Sequence, residues 1–230
     1  MKPIKLLLTT ALTAMIAAGA YAQNTFFPAK AGMELIYANK DARGRVDSHS
    51  RQIIKSVEGS GSNMTISYVF ESLDRNQKSL SNPPLEIPCT VIVKDDVVIL
   101  DMNRFFADQQ KDQQLKIEIT GVPMELPNNL QPGQSLKDAE ITMTIDMVIT
   151  SIRTVMKMTD GKCLAIESVT VPAGTFTCHK ITQTVTTTVM RREVITRTDS
   201  WYAPGIGTVK TETYDNRDRL QSSTELIQVL

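Results

Sequence analysis

Apolar and polar residues alternate with a period of two along most of this chain, and amphipathic stretches at helical spacing are nearly absent. That pattern is the mark of half-buried strands. The run Ile141-Thr-Met143-Thr-Ile145-Asp-Met147-Val-Ile149 is the clearest case, with every odd position apolar. Such a strand turns one face to a core and the other to water. Beyond Ser151 the phase inverts, and Ile152, Met156 and Met158 are apolar at even positions. A slip of one residue exchanges the faces, so a strand running on through this point needs a bulge or must change sheets near Thr150-Ser151. Long bent strands of that kind suit barrels and half-barrels.

A second long segment, Thr175 to Trp201, is rich in Thr and Val, with Ile181, Val185 and Val189 in phase. β-branched side chains favour the pleated strand over the helix. Further strands are expected at Met33–Ala38, Ser50–Val57, Asn63–Leu73, Pro88–Lys94, Val97–Met102 and Leu115–Thr120. Lys94-Asp95-Asp96, between two apolar runs, predicts a tight hairpin. Val171-Pro-Ala-Gly174 predicts a strand reversal, because proline fixes one turn dihedral and glycine accepts a positive φ. Asn103–Gln114 is the one helix candidate, with Asn103 as cap and Phe105 and Phe106 available to dock. Pro, Asn and Gly cluster at Ser81–Pro84 and Leu126–Gly133, which read as loops, either able to cross a barrel mouth. The expected architecture is all-β and mainly antiparallel, an open or half β-barrel with at most one short helix.

The first residues stand apart from this pattern. Lys2 and Lys5, the apolar stretch from Leu6 to Ala20, and the small residues Ala20 and Ala22 follow the order of a secretory signal, with cleavage expected after Ala22. Residues 23–230 then form a single antiparallel β domain with no transmembrane segment, since no later apolar run reaches the roughly 20 residues a spanning helix needs. No cysteine stands at the cleavage point, so an acylated N-terminus is not expected, and the mature chain belongs in the periplasm or cell envelope.

Charge narrows the function classes. The chain carries 25 basic and 25 acidic side chains, of both signs throughout, and loss of Lys2 and Lys5 leaves a slight acidic excess. Nucleic acid is therefore excluded as a partner, for which a basic stripe is needed. Three cysteines, Cys89, Cys163 and Cys178, rule out a dense disulfide framework and permit at most one bridge. Cys163–Cys178 is the pair considered first, although a tight hairpin at Pro172-Ala173 would set Cys178 opposite about Glu167. The alternative is three small buried hydrophobes.

Three stretches of the second half carry a family resemblance: Glu167-Ser-Val-Thr-Val-Pro-Ala-Gly-Thr-Phe-Thr-Cys178-His-Lys-Ile181, Trp201-Tyr-Ala-Pro-Gly-Ile-Gly207-Thr-Val-Lys210 and Ser223-Thr-Glu-Leu226. Together they resemble the TapB-like family of exported, β-rich bacterial proteins. The resemblance covers residues 130–230 and implies no reaction and no catalytic residue.

Nothing in the chain spells out a reaction. His49 and His179 stand in no metal-ligand spacing, and no cofactor is implied. Cys178 and His179 are neighbours on a strand, so they point to opposite faces and do not form a thiol-imidazole pair. Asp95, Asp96 and Asp101 read as the solvated residues of a turn. What remains is an apolar interior in which Met143, Met147, Met156, Met158 and Met190 lie along the long strands, with Trp201 and Tyr202 beside a Pro-Gly turn. Methionine lines adaptable binding surfaces as readily as it fills irregular cores. The sequence therefore points to a non-enzymatic envelope protein whose partner is an apolar, lipid-like small molecule or an envelope protein. Two alternatives stay open: a structural or assembly protein that pairs through an exposed strand edge, and a hydrolase whose site, around His179 or Asp96, is unrecognised.

Overall fold

The structure is a computed structural model that describes residues 25–84, 86–100, 116–146 and 151–230. Its strands are β1 (Glu34–Asp41), β2 (Val46–Ser60), β3 (Asn63–Leu73), β4 (Ile87–Lys94), β5 (Val97–Leu100), β6 (Lys116–Val122), β7 (Glu125–Pro127), β8 (Ala139–Asp146), β9 (Ser151–Val171), β10 (Gly174–Val189), β11 (Arg192–Ala203), β12 (Gly207–Tyr214) and β13 (Leu220–Val229). They make one sheet in the order β6-β8-β9-β10-β11-β12-β13-β1-β2-β3-β4-β5-β7. Every pairing is antiparallel. The two outer strands, β6 and β7, are not bonded to each other, so the barrel stays open, as the alternation pattern led one to expect.

Three of the hairpins share one device. Asp41, Asp74 and Asp215 each end a strand and turn a carboxylate back on the loop. Oδ1 accepts the backbone N–H two and four residues on, at 2.8–3.0 Å. The residue three places on takes a positive φ, and it is Gly44, Gln77 and Asp218 respectively. Aspartate does this because its short side chain reaches its own following amides. The β4–β5 hairpin closes on Asp95 and Asp96, both at positive φ, and Lys94 pairs with Val97, which is the two-residue hairpin expected there. Gly174 pairs with Val171 around Pro172-Ala173, again as expected.

Two expectations need correcting. The phase change after Ser151 arises from a chain reversal: β8 and β9 are antiparallel neighbours in which Ile141 faces Met156 and Ile145 faces Ile152. An odd position on one strand meets an even position on the other, so the inversion is what keeps one face apolar. The stretch Thr175 to Trp201 is likewise two strands, reversed at Met190-Arg191 with φ of 47° and 72°. Neither residue is a customary turn former, since a side chain at positive φ is strained. The expected helix at Asn103–Gln114 lies outside the described residues.

The sheet curls so that β2–β5 look across at β9 and β10. Ile54, Ile66, Val91, Val93, Cys163 and Ile181 meet in one core cluster with Phe26, Leu126 and Leu130. Each such aliphatic side chain contributes about 1.5–3 kcal/mol by leaving water. A second cluster joins Leu35, Tyr37, Val209 and Leu226 to Val171, Cys178 and Trp201. The segment after β7 crosses the open side as a strap. His179 Nδ1–H donates to the Leu130 carbonyl at 2.9 Å. Gly133 N–H donates to Cys163 O, Cys163 N–H to Gln134 O, and Leu136 N–H to Gly161 O, all at 2.7–2.9 Å.

Candidate functional site

Beyond this core, β8–β11 extend as a sheet with two unlike faces. Register defines one of them. Ile119 faces Met143, Ile141 faces Met156, Ala139 faces Met158, and Ile145 faces Ile152. On the far side of β9, Met158 meets Val185 and Met156 meets Thr187. Thr187 in turn meets Val194 on β11. Directly paired residues project to one side of a sheet, so these side chains share one mainly apolar face, on which Thr154, Thr187, Thr196 and, at its outer end, Arg192 also lie. The opposite face carries Glu118, Thr144 and Arg153 in one row, and Glu140, Lys157, Thr186 and Ile195 in another. Lys157 and Glu140 form an ion pair there at 3.3 Å.

The apolar face continues the core side of the sheet. Along β10, Ile181 and Val185 have the same phase, and Ile181 is fully buried against Cys163. The bulge next to them, with Asp160 at φ 56°, lies on β9 and leaves β10 regular. Exposure rises outward along this surface, from Met158 at 8% to Met156 at 38% and Val194 at 59%. The result is a mainly apolar wall that leaves the core and runs into the open part of the sheet.

The methionines singled out from the sequence divide accordingly. Met143, Met156 and Met158 share the apolar face. Met147 lies outside the described residues. Met190 sits in the β10–β11 turn, 67% exposed, beside an open groove of about 580 Å³ that also takes in Arg153, Val155 and Thr188 of the polar face. It is thus separated from the other three.

Trp201 and Tyr202 point to opposite sides. Trp201 is packed in the second cluster with its Nε1–H donating to Glu167 Oε1 at 2.6 Å. The amines of Lys180 and Lys210 lie over its ring, 4.8 and 5.2 Å from the centroid. Lys180 also reaches Asp199, whose carboxylate takes Arg197 at 2.6 Å and the Thr182 hydroxyl at 2.7 Å. Burial pushes the Asp199 pKa up, but Arg197, Thr182 and Lys180 outweigh it and hold it below the usual range. Every group in this network is partnered, so it reads as structural. Tyr202 instead lines an interior cavity with Phe26, Phe27, Tyr37, Gln52 and Leu126. Sequence patterning passed over Gln52, a polar residue within the expected strand Ser50–Val57, and the Phe26–Pro28 segment, which belongs to no periodic run.

All three cysteines are free and buried. Cys178 faces Glu167, as the hairpin register required, while Cys163 faces Ile181. The considered bridge does not form, since the two thiols belong to different core clusters. Burial pushes the Cys89 and Cys178 thiols up to about 11 and raises that of Cys163, which suppresses thiolate chemistry. His179 faces Ile166 and Tyr202, away from Cys178. His49 is buried, and its Nδ1–H donates to the Asp74 carbonyl at 3.0 Å. Asp101 lies outside the described residues. Among the described residues no group of His, Cys, Asp and Glu is placed to hold a metal ion, and no helix is long and apolar enough to cross a membrane.

Residues 30–226 match the family model described as DUF3108-like. Two solved structures are similar in fold. One is a candidate exported protein with YmcC-like fold from Bacteroides fragilis, 20% identical, with a TM-score of 0.70 over 90% of this chain and 99% of that one. The other is a candidate lipoprotein from Parabacteroides distasonis, 22% identical, with a TM-score of 0.71 over 90% of this chain and 98% of that one. No curated protein matches the chain at a significant level.

Proposed function

The chain belongs to the DUF3108-like family, and from that premise we propose that it is a non-enzymatic protein of the cell envelope that holds an apolar, lipid-like ligand on the open face of its half-barrel. One observation carries this reading: the pairs Ile141–Met156 and Met158–Val185 extend the core-facing side of the sheet into a partly exposed apolar surface. Exposed apolar surface of that kind marks binding sites in soluble proteins. Met143, Met156 and Met158 give the surface side chains that repack around ligands of varied shape.

Export after cleavage at Ala22, leaving residues 23–230 as one domain in the periplasm or envelope, is part of the same reading. It is supported by the charged, apolar and small-residue order of the leader and by the description of one structure of similar fold as a candidate exported protein and of the other as a candidate lipoprotein. The narrower tie to TapB-like proteins rests on the Val171-Pro-Ala-Gly174 and Trp201-to-Gly207 motifs. The test is native mass spectrometry of the mature protein purified from its own envelope. An added mass that is released by organic solvent supports the carrier; a bare protein mass argues against it.

A second reading is favoured by a different observation, the open sheet itself. β6 pairs with β8 on one side only among the described strands, and such an edge accepts a strand from another chain. Cross-linking that recovers an envelope partner through residues 116–122 supports assembly; a strictly monomeric, unlinked protein argues against it.

A further inference from the structure

The interior cavity lies away from the apolar face, where the segment Phe26–Pro28 enters the barrel. It has a volume of about 100 Å³ and is walled by Phe26, Phe27, Tyr37, Leu126 and Tyr202, with the Gln52 amide among them. Its polar groups are not equally engaged. The Tyr202 hydroxyl is hydrogen-bonded by Ser200 and Thr208, whereas Gln52 Nε2 is buried with no partner. A buried donor without a partner in a mainly apolar cavity favours an acceptor atom beside it. Among the described residues no charged side chain lines the cavity, so an anionic oxygen would enter without a counter-charge, which is disfavoured.

We propose that this cavity is a binding subsite for a neutral carbonyl, the ester or amide end of a small molecule, whose oxygen accepts from Gln52 Nε2 while its carbon atoms lie between Phe26 and Tyr202. The volume sets the size. It is roughly two-thirds of the ~150 Å³ that holds a benzene molecule, so it admits about four or five non-hydrogen atoms, and the rest of a longer ligand must extend through the mouth. The inference does not depend on the apolar face, and either can fail without the other.

The test uses the full mature chain and two probes of matched size, methyl acetate and sodium propanoate, followed by saturation-transfer NMR. The ester is expected to bind in the millimolar range, as its few atoms allow, and the carboxylate at least about tenfold more weakly. Gln52→Leu should weaken the ester about tenfold, the loss of one hydrogen bond. A second readout needs no variant: the side-chain amide signals of Gln52 should shift with methyl acetate and stay fixed with propanoate. Equal binding of the ester by wild type and Gln52→Leu, or Gln52 amide signals unmoved by the ester because water alone fills the cavity, overturns the proposal.

Discussion

Ile141 on β8 and Met156 on β9 face each other directly across the ladder, although the sequence places them in opposite phases of an alternating pattern. Their pairing makes an apolar face out of two strands that read separately as a phase error. Changing one of these side chains should therefore alter binding without touching the core. Met156→Lys places a charge on a position 38% exposed, so the cost in stability should stay within about 0.5 kcal/mol. Binding of the fluorescent probe N-phenyl-1-naphthylamine should fall at least about tenfold, because the charge must be desolvated to admit the probe. Lys157→Ala, on the opposite face, should leave the titration unchanged.

The three aspartate turns supply an internal comparison. The third position after the aspartate has a positive φ in each, but only Gly44 is a glycine. Gln77→Gly should stabilise the protein by about 1 kcal/mol, because a side chain in the left-handed region is strained. Gly44→Gln should cost a similar amount. Urea denaturation with an unchanged slope is the measurement for both.

Asp41 and Asp215 predict an acid limb. Hydrogen bonds from Arg45 and Arg219 hold their carboxyls down at about 2 in the folded protein, against about 3.9 for a free aspartate. A lowered folded pKa means that the unfolded chain takes up protons first as pH falls. The stabilisation is therefore complete above the unfolded value and is lost between about pH 5 and pH 2. Asp41→Asn and Asp215→Asn should flatten that limb, so that the gap from wild type in urea titrations closes towards pH 2.

The cysteines should be inert in the native state. With Cys89 and Cys178 at about 11 and all three thiols buried, iodoacetamide at pH 8 should leave the folded protein unmodified. Three additions should appear once guanidinium unfolds it without reductant. Fewer than three would reveal a disulfide.

Much of this fold was legible from the residues. The bounds of β3 match the expected Asn63–Leu73, because Gly61-Ser62 sets its start and β-branched and aromatic residues carry it through a change of phase between Ile66 and Val69. The turns at Asp95-Asp96 and Pro172-Ala173 were legible because their residue types are those that such turns require. The turn at Met190-Arg191 was not, since neither residue announces a positive φ. Strand order was also hidden, because period-two alternation tells which face is apolar but not which strand lies alongside. For the same reason Met143, Met156 and Met158 could be singled out from the sequence, whereas their union on one face needed the β8–β9 register. Met190 and Trp201 show the converse: residue type alone drew attention to them, and the turn and the Glu167 hydrogen bond place them elsewhere.

The most direct test of the apolar face is to irradiate the mature protein with a fatty acid carrying a photoactivatable diazirine on its chain and to map the adducts by peptide mass spectrometry. The carrier reading predicts adducts on β8 to β10, at Ile141, Met143, Met156 and Val185, competed away by unlabelled fatty acid. Adducts confined to the polar face around Arg153, Lys157 and Thr186, or no saturable labelling at all, would contradict it.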